Sequence, residues 1–199
     1  MITDRPPRKL EHREEFLRSD QLTSLPTPDD ERLRLPARRI EEVMEAEELA
    51  KITDACSVFI ATASKFYQVR EPHICILAAR PLRVREGRWT MELFGDYAPS
   101  TLTIRVWMRT AVLKNVTSFG TFFSTLCHEF CHHLDCQRFG LNRSPHTRGF
   151  YQRAAVLYHH ARGTAIRRLV WSRAPGNRWR INWPAMKRAA EDERISIRR

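Results

Sequence analysis

Apolar residues recur at helical spacing in two long segments of the chain. From Ile40 onward they lie three or four positions apart, or at multiples of these, which predicts one long amphipathic helix that ends before Pro72. A second stripe predicts a helix that begins near Thr117 or Ser118 and ends at Gly140. The first stripe contains Val43, Met44, Ile52, Cys56, Phe59 and Ala63, and the second contains Phe119, Phe122, Phe123, Leu126, Phe130 and Leu134.

Three strand-like segments lie between these two helices. His73–Ala79 is a short apolar run, and apolar residues alternate with polar ones over residues 89–93, before a turn-like Gly-Asp pair. The same alternation over residues 102–109 predicts a half-buried strand at the edge of a sheet. After the second helix, residues 144–145 read Ser-Pro, which is typical of a helix start, and this last helix is expected to end by Gly163.

The order of these elements predicts an α+β domain over residues 39–163. A small three-stranded sheet is expected to pack on the long N-terminal helix and on the second helix. Residues 1–38 contain five of the eleven prolines and no apolar face, so we expect an arm that is either mobile or draped on the domain. Residues 164–199 form a basic extension rich in Arg and Trp.

The second helix carries a metal-binding motif. Residues 128–132 read H-E-x-x-H, a spacing that puts two imidazoles one turn apart on one face and leaves Glu129 beside a shared ion. His128 and His132 lie about 200–240° around the helix from Leu126, away from the phenylalanine stripe. The motif therefore predicts a catalytic zinc ion, with Glu129 holding a water.

A catalytic zinc ion needs a third protein ligand and an open position. Asp135 lies on the same helix nearly in line with the two motif histidines, so these three could not surround a tetrahedral ion, and the remaining downstream acids lie close to the C-terminus. His146, 14 residues after His132 and in the first turn of the next predicted helix, is the predicted third ligand. His159 and His160 are the alternatives, and a structural Cys/His site is disfavoured because no C-x-x-C pair exists.

These residues resemble the SprT-like zinc metallopeptidases, compact zincins that include the Spartan proteases. The resemblance covers about residues 40–160 and rests on the strands, the H-E-x-x-H segment and a downstream His-Thr-Arg-Gly-Phe segment. The family's third zinc ligand belongs to an H-G-x-x-F segment, and here His146 and Phe150 keep its ends while the glycine is Gly149. The resemblance implies a zincin fold of minimal gluzincin type, peptide-bond hydrolysis and, for some members, cleavage of proteins attached to DNA.

The leading hypothesis is a zinc-dependent endopeptidase that acts on protein or peptide substrates. One zinc ion on His128, His132 and His146 is expected to lower the pKa of its bound water toward ~7, and Glu129 to act as the general base. The substrate is expected to pair with the edge of the strand over residues 102–109. The candidates for stabilising the oxyanion, or for supporting the metal ligands, are Tyr151, Tyr97, Arg148 and His133.

The charge distribution supports a different hypothesis, that of a nucleic-acid-binding protein with a structural or subsidiary zinc site. The chain has a net charge of +11, and residues 162–199 hold eleven Lys or Arg against three acids. Arginines that pair with phosphates and indoles that stack on bases would suit DNA or RNA, although a tail packed on the domain has the same composition. The candidate contacts are Trp171, Arg173, Arg178, Trp179, Arg180 and Trp183.

Two further features bear on location and chemistry. The longest stretch without a charged residue, residues 115–127, has 13 residues and is too short for a membrane span, and the N-terminus lacks the apolar core of a secretory signal. We therefore expect a cytoplasmic protein with no membrane partner. A hydrolase acting on something other than protein ranks last, because the chain has no phosphate-binding loop and no second carboxylate-rich cluster.

Overall fold

The computed structural model describes residues 1–85 and 89–189, which form a mixed α+β fold with a small sheet. The helices are α1 (Leu10–Gln21), α2 (Arg34–Met44), α3 (Leu49–Tyr67), α4 (Phe119–Gln137), α5 (Arg148–Arg162) and α6 (residues 183–189). The strands are β1 (His73–Ala79), β2 (Leu82–Arg85), β3 (Trp89–Glu92), β4 (Gly95–Ala98), β5 (Thr103–Arg109), β6 (Trp171–Ala174) and β7 (Arg178–Ile181).

The central sheet has the strand order β1-β5-β4. β5 pairs in parallel with β1 and antiparallel with β4, so the prediction that residues 102–109 form an edge strand is wrong. The alternation correctly indicated a buried face, because Ile104, Val106 and Met108 are all buried. It carries no information about which strands lie alongside, and here both sides of β5 are hydrogen-bonded.

The third strand of this sheet is β4, whose residues Gly95 and Asp96 were expected to form a turn. The segment over residues 89–93 contributes β3 instead, which pairs with β2 in a separate hairpin. Gly95 is needed for close approach rather than for a turn, because a Cβ there would lie 2.7 Å from Cγ2 of Thr125 and 2.9 Å from Cγ of Glu129. The edge of the sheet therefore lies directly against the motif helix.

The single long N-terminal helix predicted from residue 40 is wrong, since the segment forms α2 and α3. Glu47, between them, has a φ of 55°, a left-handed conformation that cannot continue a helix. Its carboxylate pairs with Arg109 at the end of β5. The apolar stripe runs through the break because both helices bury their apolar faces in one core, where Ile40, Ile52 and Phe59 are fully buried.

Helix α4 begins as predicted and α5 does not. Ser118 caps α4, and its Oγ accepts a hydrogen bond from the backbone N–H of Thr121. The cap of α5 is Thr147, whose Oγ1 accepts from the N–H of Phe150, and the helix starts after residues 144–145 rather than at them. Ser144 is not a cap because its hydroxyl has partners elsewhere.

Residues 1–38 and the described part of the C-terminal extension both pack on the domain. Phe16, Leu25 and Leu33 are buried, and α1 lies against α5. Strand β7 pairs with the N-terminus, where the backbone N–H of Thr3 donates to the carbonyl of Trp179 at 2.8 Å. The last ten residues of the predicted extension, 190–199, lie outside the described residues. Within the described ranges, no helix combines the length and the apolarity needed to cross a membrane.

Candidate metal centre

Three histidine side chains converge where α4 meets the loop before α5. Nε2 of His128 lies 3.2 Å from Nε2 of His132 and 3.0 Å from Nε2 of His146, and the third separation is 3.1 Å. Imidazole nitrogens that share one tetrahedral ion at ~2.0–2.1 Å stand roughly 3.3 Å apart. The three residues are therefore close enough together to bind one metal ion.

A chain of hydrogen bonds sets the orientation of His132. Nδ1 of His132 lies 2.6 Å from Oγ of Ser144, which itself donates to Oδ2 of Asp135 at 3.0 Å. Because the Ser144 hydrogen is directed to the carboxylate, its oxygen accepts from Nδ1–H of His132. Nε2 of His132 is then the unprotonated nitrogen, with its lone pair directed toward the other two histidines.

Asp135 is therefore a support for the site and not a ligand. Both of its oxygens accept from Nη2 of Arg153, at 2.7 and 2.9 Å, and both side chains are fully buried. Burial raises the pKa of Asp135, while Arg153 and Ser144 lower it. Arg153 also donates to the backbone oxygens of Ser19 and Leu22, which ties the C-terminal end of α1 to α4 and α5.

His146 is held by a residue from the other end of the chain. The Asp4 carboxylate accepts from the backbone N–H of His146 at 2.9 Å, and its Oδ2 lies 3.4 Å from Nδ1 of the ring. The backbone N–H of Asp4 donates in turn to the carbonyl of His146 at 2.8 Å. Asp4 thus fixes the loop that carries the third histidine.

Phe150 forms the floor beneath all three imidazoles. Its ring centroid lies 4.3 Å from that of His132, 4.8 Å from that of His128 and 5.1 Å from that of His146, and it is fully buried. The neighbouring position 149 requires glycine for a different reason, because a Cβ there would lie 2.0 Å from the carbonyl oxygen of Ser19. The glycine allows α5 to pack against α1.

The three imidazole nitrogens form a set of donors that suits a cation. Burial, with a contribution from His146, lowers the pKa of His128 to about 3, and burial also lowers that of His132. These imidazoles are therefore neutral near pH 7, and neutral nitrogens with converging lone pairs repel one another unless a cation lies between them. Imidazole nitrogens suit several first-row metals, among them zinc, copper, iron and nickel.

Glu129 lies beside this triad in a cleft of about 550 Å³ that is lined mostly by polar residues, here called the polar cleft. The cleft is lined by α4, by the edge strand β4, by Asp4 and by the loop that holds His146. Glu129 is 6% exposed, and burial, followed by the nearby Asp96 carboxylate, raises its pKa to about 8. A cation at the triad lowers that pKa and so favours the ionised form of the carboxylate.

No family model, no curated protein and no solved structure gives a significant match to this chain.

Two of the four candidate supporting residues form one hydrogen-bonded pair. Nε2–H of His133 donates to the carbonyl of Arg70 at 2.7 Å, so Nδ1 accepts from the Tyr97 hydroxyl at 3.0 Å. His133 is fully buried and is not part of the triad. Tyr97 lines the cleft, and the pair ties the edge strand β4 to α4.

The other two candidates, Tyr151 and Arg148, make contacts with other parts of the protein. The Tyr151 ring lies 5.7 Å from that of His146, and its hydroxyl donates to the carbonyl of Ile2 at 3.2 Å. Arg148 pairs with Asp20 of α1 and is not among the residues that line the cleft. Tyr151 is therefore beside the triad, whereas Arg148 anchors the start of α5.

Two of the extension's tryptophans contact the protein itself. The guanidinium groups of Arg148 and Arg173 lie 4.7 and 4.2 Å from the ring of Trp179, and Trp171 lies 6.0 Å from the ring of Tyr151. Trp183 is 48% exposed. In the described part of the extension, Trp171 and Trp179 are thus partly buried while Trp183, Arg173 and Arg180 are exposed, and nucleic-acid binding stays a prediction.

The alternatives for the third ligand are not in the triad. Nδ1 of His159 lies 2.8 Å from Oγ1 of Thr164, and His160 is buried on the same helix. All five cysteines are free thiols. The sequence does not indicate the roles of Asp4, Ser144 and Gly95: Asp4 carries no local signal, Ser144 resembles a helix cap and Gly95 resembles a turn.

Proposed function

We propose that this protein is a zinc-dependent endopeptidase with a zincin-like active site. The observation that carries the proposal is the combination of three converging imidazoles with the buried Glu129 carboxylate. Glu129 lies on α4 with two of the three histidines, and it lines a cleft together with all three. A structural zinc site is normally closed by four protein ligands and has no use for an adjacent base. Here the described residues supply three ligands, which leaves a position for water and substrate.

The chemistry follows from the positions of the side chains. When bound, zinc supplies a Lewis acid that polarises the scissile carbonyl and lowers the pKa of water. Glu129 takes a proton from the attacking water and passes it to the leaving amine. Asp4 and Ser144 hold His146 and His132 in the orientation that directs each Nε2 into the triad, where these nitrogens would hold the metal.

An extended substrate is proposed to pair with β4. Among the described residues this strand pairs only with β5, so its outer edge carries unpaired backbone groups. Gly95, Asp96 and Tyr97 of β4 line the cleft together with Glu129. A peptide added along this edge has its backbone held beside the triad without any requirement for a particular sequence.

The substitution Glu129→Gln tests this function. It removes the base and retains all three ligands, so zinc content should be unchanged while hydrolysis of casein falls by at least ~10²–10⁴-fold. Both quantities are measured on one preparation, and Glu45→Gln, an exposed position, is the matched control that should match wild type in both. Full casein hydrolysis by the Glu129→Gln protein would show that another group activates the water or that a contaminant is responsible.

A further inference from the structure

A second cavity, of about 330 Å³, adjoins the metal centre. His128 lines both this cavity and the polar cleft. The walls of the second cavity are mostly apolar and come from α4, α5, Met1 and the C-terminal extension. Concave apolar spaces of this size that adjoin a few fixed polar groups are typical ligand sites.

The cavity exists because the facing helices carry small side chains. Gly120, Ser124 and His128 succeed one another at intervals of four along one face of α4, and Ala154 and Ala155 face them from α5. Larger residues at these positions would fill the space between the two helices. The small residues therefore leave a recess that ends at His128.

The mouth of the cavity exposes large apolar side chains. Trp183 is 48% exposed and Met1 is 60% exposed, whereas Leu169 and Ile181 are buried within the wall. Exposed apolar groups that surround a concave site indicate a surface that a partner covers. The extension thus builds one wall of a recess next to the proposed catalytic centre.

The recess and the metal centre are close enough to act on one substrate residue. Tyr151 lines the recess, and its ring centroid lies 6.0 Å from that of His128 and 5.7 Å from that of His146. We propose that the recess binds one large apolar side chain, such as Leu, Met or Phe, from the substrate residue next to the cleaved bond. This inference rests on the proposed peptidase function and names its substrate preference.

The test uses the full-length zinc-loaded protein and two metal-chelating probes. Acetohydroxamate and 4-methylpentanohydroxamate carry the same chelating group, and only the second has a branched alkyl chain that can enter the recess. Calorimetry should show that the alkyl probe binds at least about tenfold more tightly, the discrimination typical of an apolar pocket. Ala155→Leu, which fills the recess, should remove most of this difference, and Ala50→Leu, on the exposed surface of α3, should retain it.

Casein digestion supplies the second measurement. Mass spectrometry of the peptides should show Leu, Met or Phe enriched next to the cleaved bonds, and Ala155→Leu should shift the cuts toward smaller residues. Equal affinity for the two probes, or unchanged discrimination in Ala155→Leu, would overturn the inference even if casein is cleaved. Probe discrimination by a protein that does not cleave casein would support an apolar site beside the metal and overturn the peptidase function.

Discussion

Asp4 and His146 are 142 residues apart in sequence and are joined by hydrogen bonds in both directions. The same carboxylate lies 3.4 Å from Nδ1 of the imidazole whose Nε2 belongs to the triad. A carboxylate placed behind a histidine fixes the orientation of the imidazole ring. The N-terminal segment of the chain therefore supports the third histidine of the triad directly.

Asp4→Asn should weaken zinc binding by about 10–100-fold, the usual effect of removing a carboxylate behind a ligating histidine. The amide retains a similar shape but loses the negative charge that favours a cation at the site. Competition with a chelator of known affinity measures the effect. Asp54→Asn, on the solvent-facing side of α3 and outside the triad, is the control and should bind zinc as wild type does. Equal affinities for the two variants would mean that Asp4 only tethers the N-terminus.

His146→Ala should reduce zinc content severely, because the two remaining histidines are adjacent on one helix and form a weak site. His159→Ala is the matched control, since that imidazole bonds to Thr164 and lies outside the triad. Metal analysis after dialysis against metal-free buffer compares the two variants. A stoichiometric metal content in His146→Ala would show that a different residue completes the site.

How much of the site was predictable depends on how local each interaction is. The H-E-x-x-H spacing and the Ser118 cap depend only on residues within one helical turn, so both could be predicted. Elimination favoured His146 over His159 and His160, because few ligands exist downstream of His132. Asp4 could not, because its role depends on the pairing of Thr3 with Trp179, which brings together the two ends of the chain.

The prediction of an edge strand over residues 102–109 fails for a related physical reason. Alternation reports which face of a strand is buried and not which strands lie beside it, so β5 was placed at an edge. Gly95 has two readings, a turn or a close approach, and only the distance to Glu129 distinguishes them. The edge strand that faces the cleft, β4, therefore could not be predicted, because its first two residues resemble a turn.

Gly95→Ala should lower turnover while zinc content is retained. The new methyl group would lie 2.7 Å from Cγ2 of Thr125 and 2.9 Å from Cγ of Glu129, so β4 or both of these α4 side chains must move. A displacement of about 1 Å in a reacting group can cost about 100-fold in rate. Zinc content, thermal midpoint and casein turnover are measured together. Wild-type turnover would show that Glu129 adjusts without loss of function.

The buried pair of Asp135 and Arg153 should contribute strongly to stability. Arg153→Met leaves the Asp135 carboxylate buried without its main partner, and the free energy of unfolding should fall by about 3–5 kcal/mol. Glu42→Gln breaks the exposed pair with Arg39 and should cost less than about 1 kcal/mol. Both variants are unfolded in urea with a chelator present, so that differences in metal binding do not contribute.

The double substitution Asp135→Asn/Arg153→Met distinguishes an unpaired buried charge from a loss of packing. Removing the charge that Arg153 neutralises should restore part of the stability lost in Arg153→Met. The amide oxygen of the introduced asparagine still offers Ser144 an acceptor, so the bond to His132 and the zinc affinity should be largely retained. If the double variant is as unstable as Arg153→Met, the contacts of Arg153 with the α1 carbonyls, rather than the ion pair, account for its contribution.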